Sequence, residues 1–122
     1  MKKIEIGPRD KKITLAVKAL QNPAARKISQ NLPIESKAKL WGDEIYFDTG
    51  IDAPAEGGTM EVEAGDIAYW PEGKCLCVFF GKTPASENDK PVPASKVVIV
   101  GKAEVDPAKL RGVKSGAKIK VS

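Results

Sequence analysis

The chain contains no histidine. That absence removes imidazole acid–base catalysis, activation of a serine or cysteine nucleophile by histidine, and every zinc site that needs an imidazole ligand. Cysteine is nearly as scarce, with two residues. Cys75 and Cys77 form a C-x-C pair whose side chains share one strand face, so a soft-metal or redox pairing has to be weighed. A single pair without a second cluster cannot close a four-ligand site in one chain, and neighbours on one strand face suit a disulfide poorly. Both read as small buried thiols in a core strand. No metal and no cofactor is expected.

Arginine is limited to Arg9, Arg26 and Arg111, and the remaining basic residues are lysines spread from Lys2 to Lys120 without a block of like charge. A net charge of +4 dispersed in this way reads as a solvated surface, and the arginine forks and stacking aromatics of single-strand readers are sparse, so no nucleic-acid partner is expected. No apolar run approaches the ~20 residues of a membrane helix. The charged start MKKIEIGPRDKK is followed by no apolar stretch of signal-peptide length. The expectation is a cytoplasmic protein with no membrane partner.

At 122 residues, 42% apolar and 30% charged, the chain has material for one hydrophobic core, so residues 1–122 read as one domain. Residues 3 to 6 and 13 to 20 read as strands joined by the turn-forming GPRD; Ile13, Leu15 and Val17 alternate with Thr14, Ala16 and Lys18 as a half-buried strand requires. Asn22 is a good N-cap and Pro23 a good first helical residue, which predicts a short amphipathic helix from Pro23 to Leu32 with Ile28 and Leu32 facing a core. It is the one helix expected. From residue 34 on, SKAKLWG, EIYFDTG, TMEVEAG, DIAYWPEG, CLCVFFG, KVVIVGKAEV and AKIKVS are strand-like and punctuated by Gly and Pro, the pattern of an antiparallel barrel or sandwich. TPASENDKPVPAS reads as a long exposed loop. The apolar runs CLCVFFG and VVIVG need cover on both faces, one from the barrel interior and one from the helix or a folded-over loop.

Paired carboxylates deserve a hearing as acid–base groups. Glu61 and Glu63 share a face of TMEVE, and alternating Glu there reads as solvent face; Asp43 and Glu44, after Trp41-Gly42, read equally as turn chemistry. The aromatic residues fall into two clusters: Trp41, Tyr46 and Phe47, then Tyr69, Trp70, Phe79 and Phe80. Strand alternation sends Tyr69 and Trp70 to opposite faces, and likewise Phe79 and Phe80, so one member of each pair packs inward while the other is a candidate for an outer groove.

The segment PAARKISQNL resembles the first helix of cyclophilins, GDIAYWP their strand entering the substrate pocket, and FFGKT their Phe-Phe-x-x-Thr segment. More specifically, WGDEIYF, GDIAYWPEG, CVFFGKTPAS and PASKVVIVGKAEVDPAKL are similar to a small prokaryotic and archaeal family of atypical cyclophilin-like barrels whose function is not established. The resemblance spans about residue 12 to 121. It implies a mostly β, cyclophilin-like closed antiparallel barrel of about eight strands with one short helix capping an end. It also implies that Phe80 floors a proline pocket and that Trp70 stands where cyclophilins keep a small lining residue. The cyclophilin catalytic arginine has no counterpart between Leu32 and Arg111. Twisting an X-Pro bond means overcoming ~20 kcal/mol of amide resonance, which a cation on the prolyl nitrogen lowers. Lys37, Lys39 or Lys82 would be substitutes without the planar fork of arginine.

Two functions follow as expectations. One is a module binding a peptide or small apolar ligand in an aromatic groove, with Tyr46, Trp70 and Phe80 as contacts and Glu44 or Thr83 as polar anchors. The alternative is a weak or divergent peptidyl-prolyl isomerase using the same groove. No catalytic residue is assigned. Self-association through the apolar surface is a third possibility, and the oligomeric state is open.

Overall fold

The computed structural model describes all residues, Met1–Ser122. Nine strands form one antiparallel, nearly closed barrel: β1 (Lys3–Ile6), β2 (Ile13–Ala19), β3 (Ile34–Lys37), β4 (Lys39–Leu40), β5 (Glu44–Asp48), β6 (Asp66–Trp70), β7 (Cys75–Phe79), β8 (Val98–Ala103) and β9 (Lys118–Val121). Their order around the sheet is β3-β9-β1-β2-β8-β6-β7-β5-β4. The two outermost strands are consecutive in the chain, separated only by Ala38, whose N–H donates to Ala117 O and whose carbonyl accepts from Gly116 N–H, both at 2.8 Å. The segment 34–40 therefore pairs with β9 at one end and β5 at the other, and its covalent continuity bridges the gap between the sheet's edges. Capping edge strands in this way removes the unpaired ladder that otherwise invites aggregation.

The opening hairpin follows from its turn residues. Pro8 leads a 3₁₀ turn at Arg9–Lys11, and β1 pairs with β2 so that Ile4 faces Leu15 and Ile6 faces Ile13 across the ladder. Helix α1 runs Pro23–Ser29, with Asn22 Oδ1 accepting from Ala25 N–H at 2.8 Å and Pro23 in the first turn. Asn22 Nδ2 also donates to Ile99 O at 2.9 Å, tying the helix start to β8. Ala24, Ala25 and the fully buried Ile28 enter the barrel core, and Leu32 packs against its margin. The helix stops three residues short of Leu32. Asn31 turns back, its side chain donating to Lys27 O and its N–H to Ile28 O, and Pro33 bars the helical conformation from the residue before it.

Three other expectations change. A second helix, α2, spans Pro107–Arg111, with Asp106 Oδ1 accepting from Ala108 N–H at 3.1 Å and Leu110 buried in the core. It uses the same acceptor-then-proline start as α1. TMEVE forms no strand: only Thr59 bridges to Val97, although Glu61 and Glu63 are exposed on either side of buried Val62. The segment from Thr83 to Ser95 is only partly exposed, since Thr83, Pro91 and Pro93 are buried. No helix is long and apolar enough to cross a membrane.

The barrel interior holds Ile45, Phe47, Ile67, Tyr69, Leu76, Val78, Phe80, Val98 and Val100 among its core. A second, smaller core lies on the outer face of β6 and β7, where Ala68, Cys77 and Phe79 are covered by Val62 and Val97. The apolar strands thus bury both faces, one under the folded-over segments 59–63 and 81–97. Each fully buried Val or Phe contributes about 1.5 to 3 kcal/mol, so this outer cluster holds the loops firmly enough to shape a site.

Candidate ligand-binding cleft

The outer face of β5, β6 and β7 follows from strand parity. Glu44, Tyr46 and Asp48 of β5 stand opposite Phe79, Cys77 and Cys75 of β7, and Ala68 and Trp70 of β6 stand opposite Cys77 and Cys75. Where the covering loop leaves this face open lies a cleft of about 130 Å³, lined by Trp41, Glu44, Tyr46, Trp70, Cys77, Pro93, Ala94 and Val97. A cavity near 150 Å³ accommodates a benzene ring, so this one holds a single small group.

The hairpin that brings Trp41 and Glu44 to the cleft has the two-residue loop Gly42–Asp43. Trp41 N–H donates to Glu44 O at 3.0 Å, and Glu44 N–H to Trp41 O at 3.2 Å. Gly42 is at φ +59°, the first central position where type II′ hairpins demand glycine, and a Cβ there would come 2.8 Å from Pro84 Cδ. Asp43 anchors the loop. Its carbonyl accepts from Phe80 N–H, its N–H donates to Lys82 O, and its carboxylate takes a forked pair from Arg111 of α2 at 2.9 and 3.2 Å.

Trp70 forms the opposite wall. Its indole Nε1 donates to Ser95 Oγ at 2.6 Å, and Ser95 Oγ donates in turn to Glu72 Oε2 at 3.0 Å. Its ring meets Tyr46 edge to face at 87° with centroids 6.3 Å apart. The floor carries the polar chemistry. Glu44 is 6% exposed, and burial pushes its carboxyl up to about 7; the Cys77 thiol beside it is the one group that favours the charged form. Burial, reinforced by Glu44, holds the Cys77 thiol well above its ordinary value, and burial followed by its bond to Asp48 pushes Cys75 up to about 12. Neither cysteine is bonded to the other, and both are protonated at neutral pH, which makes them poor nucleophiles. No three His, Cys, Asp or Glu side chains come together as a metal cluster.

Of the five residues singled out from the sequence, Glu44, Tyr46 and Trp70 line this one cleft. Phe80 and Thr83 do not. Residues 76, 78 and 80 share the inward face, so Phe80 packs into the barrel core at 3% exposure, while its neighbour Phe79 takes the outer face that the resemblance reserved for Phe80. Thr83 is buried in the loop, with its hydroxyl donating to Val92 O and its N–H to Ser86 Oγ at 3.0 Å. The cleft residues not singled out as a site are Trp41, Cys77, Pro93, Ala94 and Val97. Trp41 was visible as an aromatic beside Glu44, and Cys77 as a buried thiol of a core strand whose pairing with Tyr46 only the sheet register gives; Pro93 and Ala94 arrive only through the fold of the loop.

A sequence profile described as Cyclophilin-like matches residues 2–122. The chain belongs to the Cyclophilin-like family. A hypothetical protein from Archaeoglobus fulgidus, known from its solution structure, is similar to it at 36% identity and a TM-score of 0.74, over 98% of this chain and 92% of that one. McbB, solved in complex with tryptophan, is 17% identical with a TM-score of 0.62, over 96% of this chain and 43% of McbB. That second likeness is one of fold, and this chain spans under half of McbB. No curated protein matches the chain.

Proposed function

We propose that this Cyclophilin-like protein is a binding module that receives one small, largely apolar group of a ligand in the cleft between Trp41, Tyr46 and Trp70, with Glu44 as polar anchor. The observation that carries the reading is the cleft itself: three of the chain's few aromatic side chains and the buried carboxyl of Glu44 converge on one ring-sized opening. Rigid aromatic walls with one convergent polar group are what small-ligand sites are made of. A small molecule is favoured over a peptide because β5, β6 and β7 all have strand partners on both sides, so no free edge beside the cleft offers hydrogen bonds to a peptide backbone. The reading keeps the cytoplasm as the compartment and assigns no cofactor.

The runner-up, a weak prolyl isomerase in the same cleft, lacks a cation among the lining residues. Arg111 of α2, which bonds the hairpin, is spent on Asp43.

Titration with toluene and indole, followed by amide and indole N–H shifts in NMR, tests the binding reading. Shifts concentrated at Trp41, Tyr46, Trp70 and Val97 are expected. Shifts scattered over the surface, or none, overturn it.

A further inference from the structure

We infer that the ligand group this cleft takes is an organic ammonium ion, carried by a small free molecule. The inference rests on the reading of the cleft as a ligand site and adds the chemistry of its occupant.

Two independent features point the same way. The first is aromatic: Trp41, Tyr46 and Trp70 line the opening, and the last two meet at right angles as a corner. Ring faces attract a cation through their negative quadrupole, and cages of such rings hold alkylated ammonium groups. The second is the carboxyl of Glu44, more than nine-tenths buried. It lines the same opening and makes no salt bridge with a lysine or arginine; the Cys77 thiol lies beside it. A buried carboxylate without a counter-ion costs free energy. A bound ammonium supplies the missing charge and brings apolar substituents to the rings, which a water-sized ion or a neutral apolar group does not do together.

The charges nearby do not fill that role. Lys39 Nζ lies 5.9 Å from the Tyr46 centroid, but it is half exposed and held by Asp48 at 3.2 Å. Arg111 is forked onto Asp43. Pro93, Ala94 and Val97 contribute no charge from the covering loop. The titratable groups facing Glu44 are Cys77 and, one pair along β7, Cys75; Tyr46 shares its strand. Burial holds both thiols neutral near pH 7, and no lysine or arginine lines the cleft, so an incoming ammonium meets no fixed positive charge on the floor.

The test compares choline with 3,3-dimethyl-1-butanol, its neutral isostere, by calorimetric or NMR titration of the full chain at about pH 8, where Glu44 is ionised. Choline is expected to bind about tenfold tighter or more. Its quaternary charge does not titrate, so its affinity is expected to rise from about pH 5.5 to about pH 8.5 as Glu44 ionises, while that of the alcohol stays flat. Glu44→Gln is expected to reduce the preference for choline and to remove the pH dependence of its affinity. Tyr46→Leu is expected to weaken choline more than the alcohol, and it reports on the rings should the Gln variant fold poorly. Equal binding of the two compounds overturns the ammonium inference while leaving the cleft a ligand site. No binding of choline overturns it as well, and the toluene and indole titration then decides the broader reading separately. Tighter binding of a peptide bearing trimethyl-lysine than of choline overturns the assignment to a free small molecule.

Discussion

Trp70 is held from two directions, edge to face against Tyr46 at 6.3 Å and by its indole N–H on Ser95 Oγ at 2.6 Å. One side chain thereby ties β5, β6 and the loop 81–97 together. Trp70→Ala removes an aromatic pair worth about 0.5 to 1.5 kcal/mol, a hydrogen bond worth about 1 kcal/mol, and part of the outer core. The expected destabilisation is about 2 to 3 kcal/mol in urea unfolding. A loss below about 0.5 kcal/mol would show that the loop is held without the indole.

Glu44 carries a pH signature. Its folded value, about 7, lies above its ordinary 4.5, so the folded chain binds the extra proton between those values and stability falls as pH rises through that window, then levels off. The distance from 4.5 to about 7 corresponds to at most about 3 kcal/mol. Asp48 and Glu5 are shifted the other way, so their contributions fade only below about pH 4. Melting temperatures from about pH 5 to about pH 8.5 are expected to decline for the parent and to stay flat for Glu44→Gln, which is then the more stable protein above about pH 7. Parallel curves for the two would mean that Glu44 is solvated.

Much of this arrangement was legible because local rules and tertiary needs agreed. Alternation and glycine punctuation located the strands, and Asn22-Pro23 located the start of α1. Asp106-Pro107 is the same signal for α2, obscured by a helix of only five residues. TMEVE has the strand period, yet forms a single bridge, because alternation reports one buried side and not a pairing partner. Parity showed that Phe79 and Phe80 face opposite ways; it did not say which faces out. That choice belongs to the whole barrel, and the analogy with cyclophilins assigned it to Phe80, which lies inside. The depth of Glu44 was hidden for the same reason: the loop that buries it is remote in sequence.

Gly73 carries the indole of Trp70 against its own backbone, since a Cβ there would lie 2.5 Å from Trp70 Cε3 and Cζ3. A flat ring fixed on two sides cannot give way cheaply, so Gly73→Ala is expected to cost about 1 to 3 kcal/mol and to displace the Trp70 indole from Ser95. A shifted indole N–H resonance with lowered stability is the expected result; an unchanged resonance would place the strain elsewhere.

Ile28 is fully buried beneath α1 in the barrel core. Ile28→Asp loses that packing and places a carboxylate where no cation is available, so a loss of about 3 to 5 kcal/mol or outright unfolding is expected. Lys27→Asp, one position along on the exposed side, controls for helix propensity and is expected to cost under about 1 kcal/mol. Equal effects at the two positions would mean that the helix does not seal the core through Ile28.

Prolyl isomerase activity comparable to that of a true cyclophilin is not expected. The rate-limiting twist is assisted by a cation at the prolyl nitrogen, and the lining of the cleft offers a carboxyl, a thiol and three aromatic rings instead. At about pH 7 and above, the Glu44 carboxylate would oppose lone-pair localisation on that nitrogen rather than favour it. Arg111 comes near the hairpin but donates both of its forked bonds to Asp43, and Lys39 is turned to Asp48. Widening the cleft with Trp70→Ala admits a larger group without adding the missing donor, so turnover on a short X-Pro peptide is expected to stay at the uncatalysed rate in both the parent and this variant. Catalysis by the parent at a cyclophilin-like rate, lost in Lys39→Met, would overturn this reading and assign the donor role to that lysine.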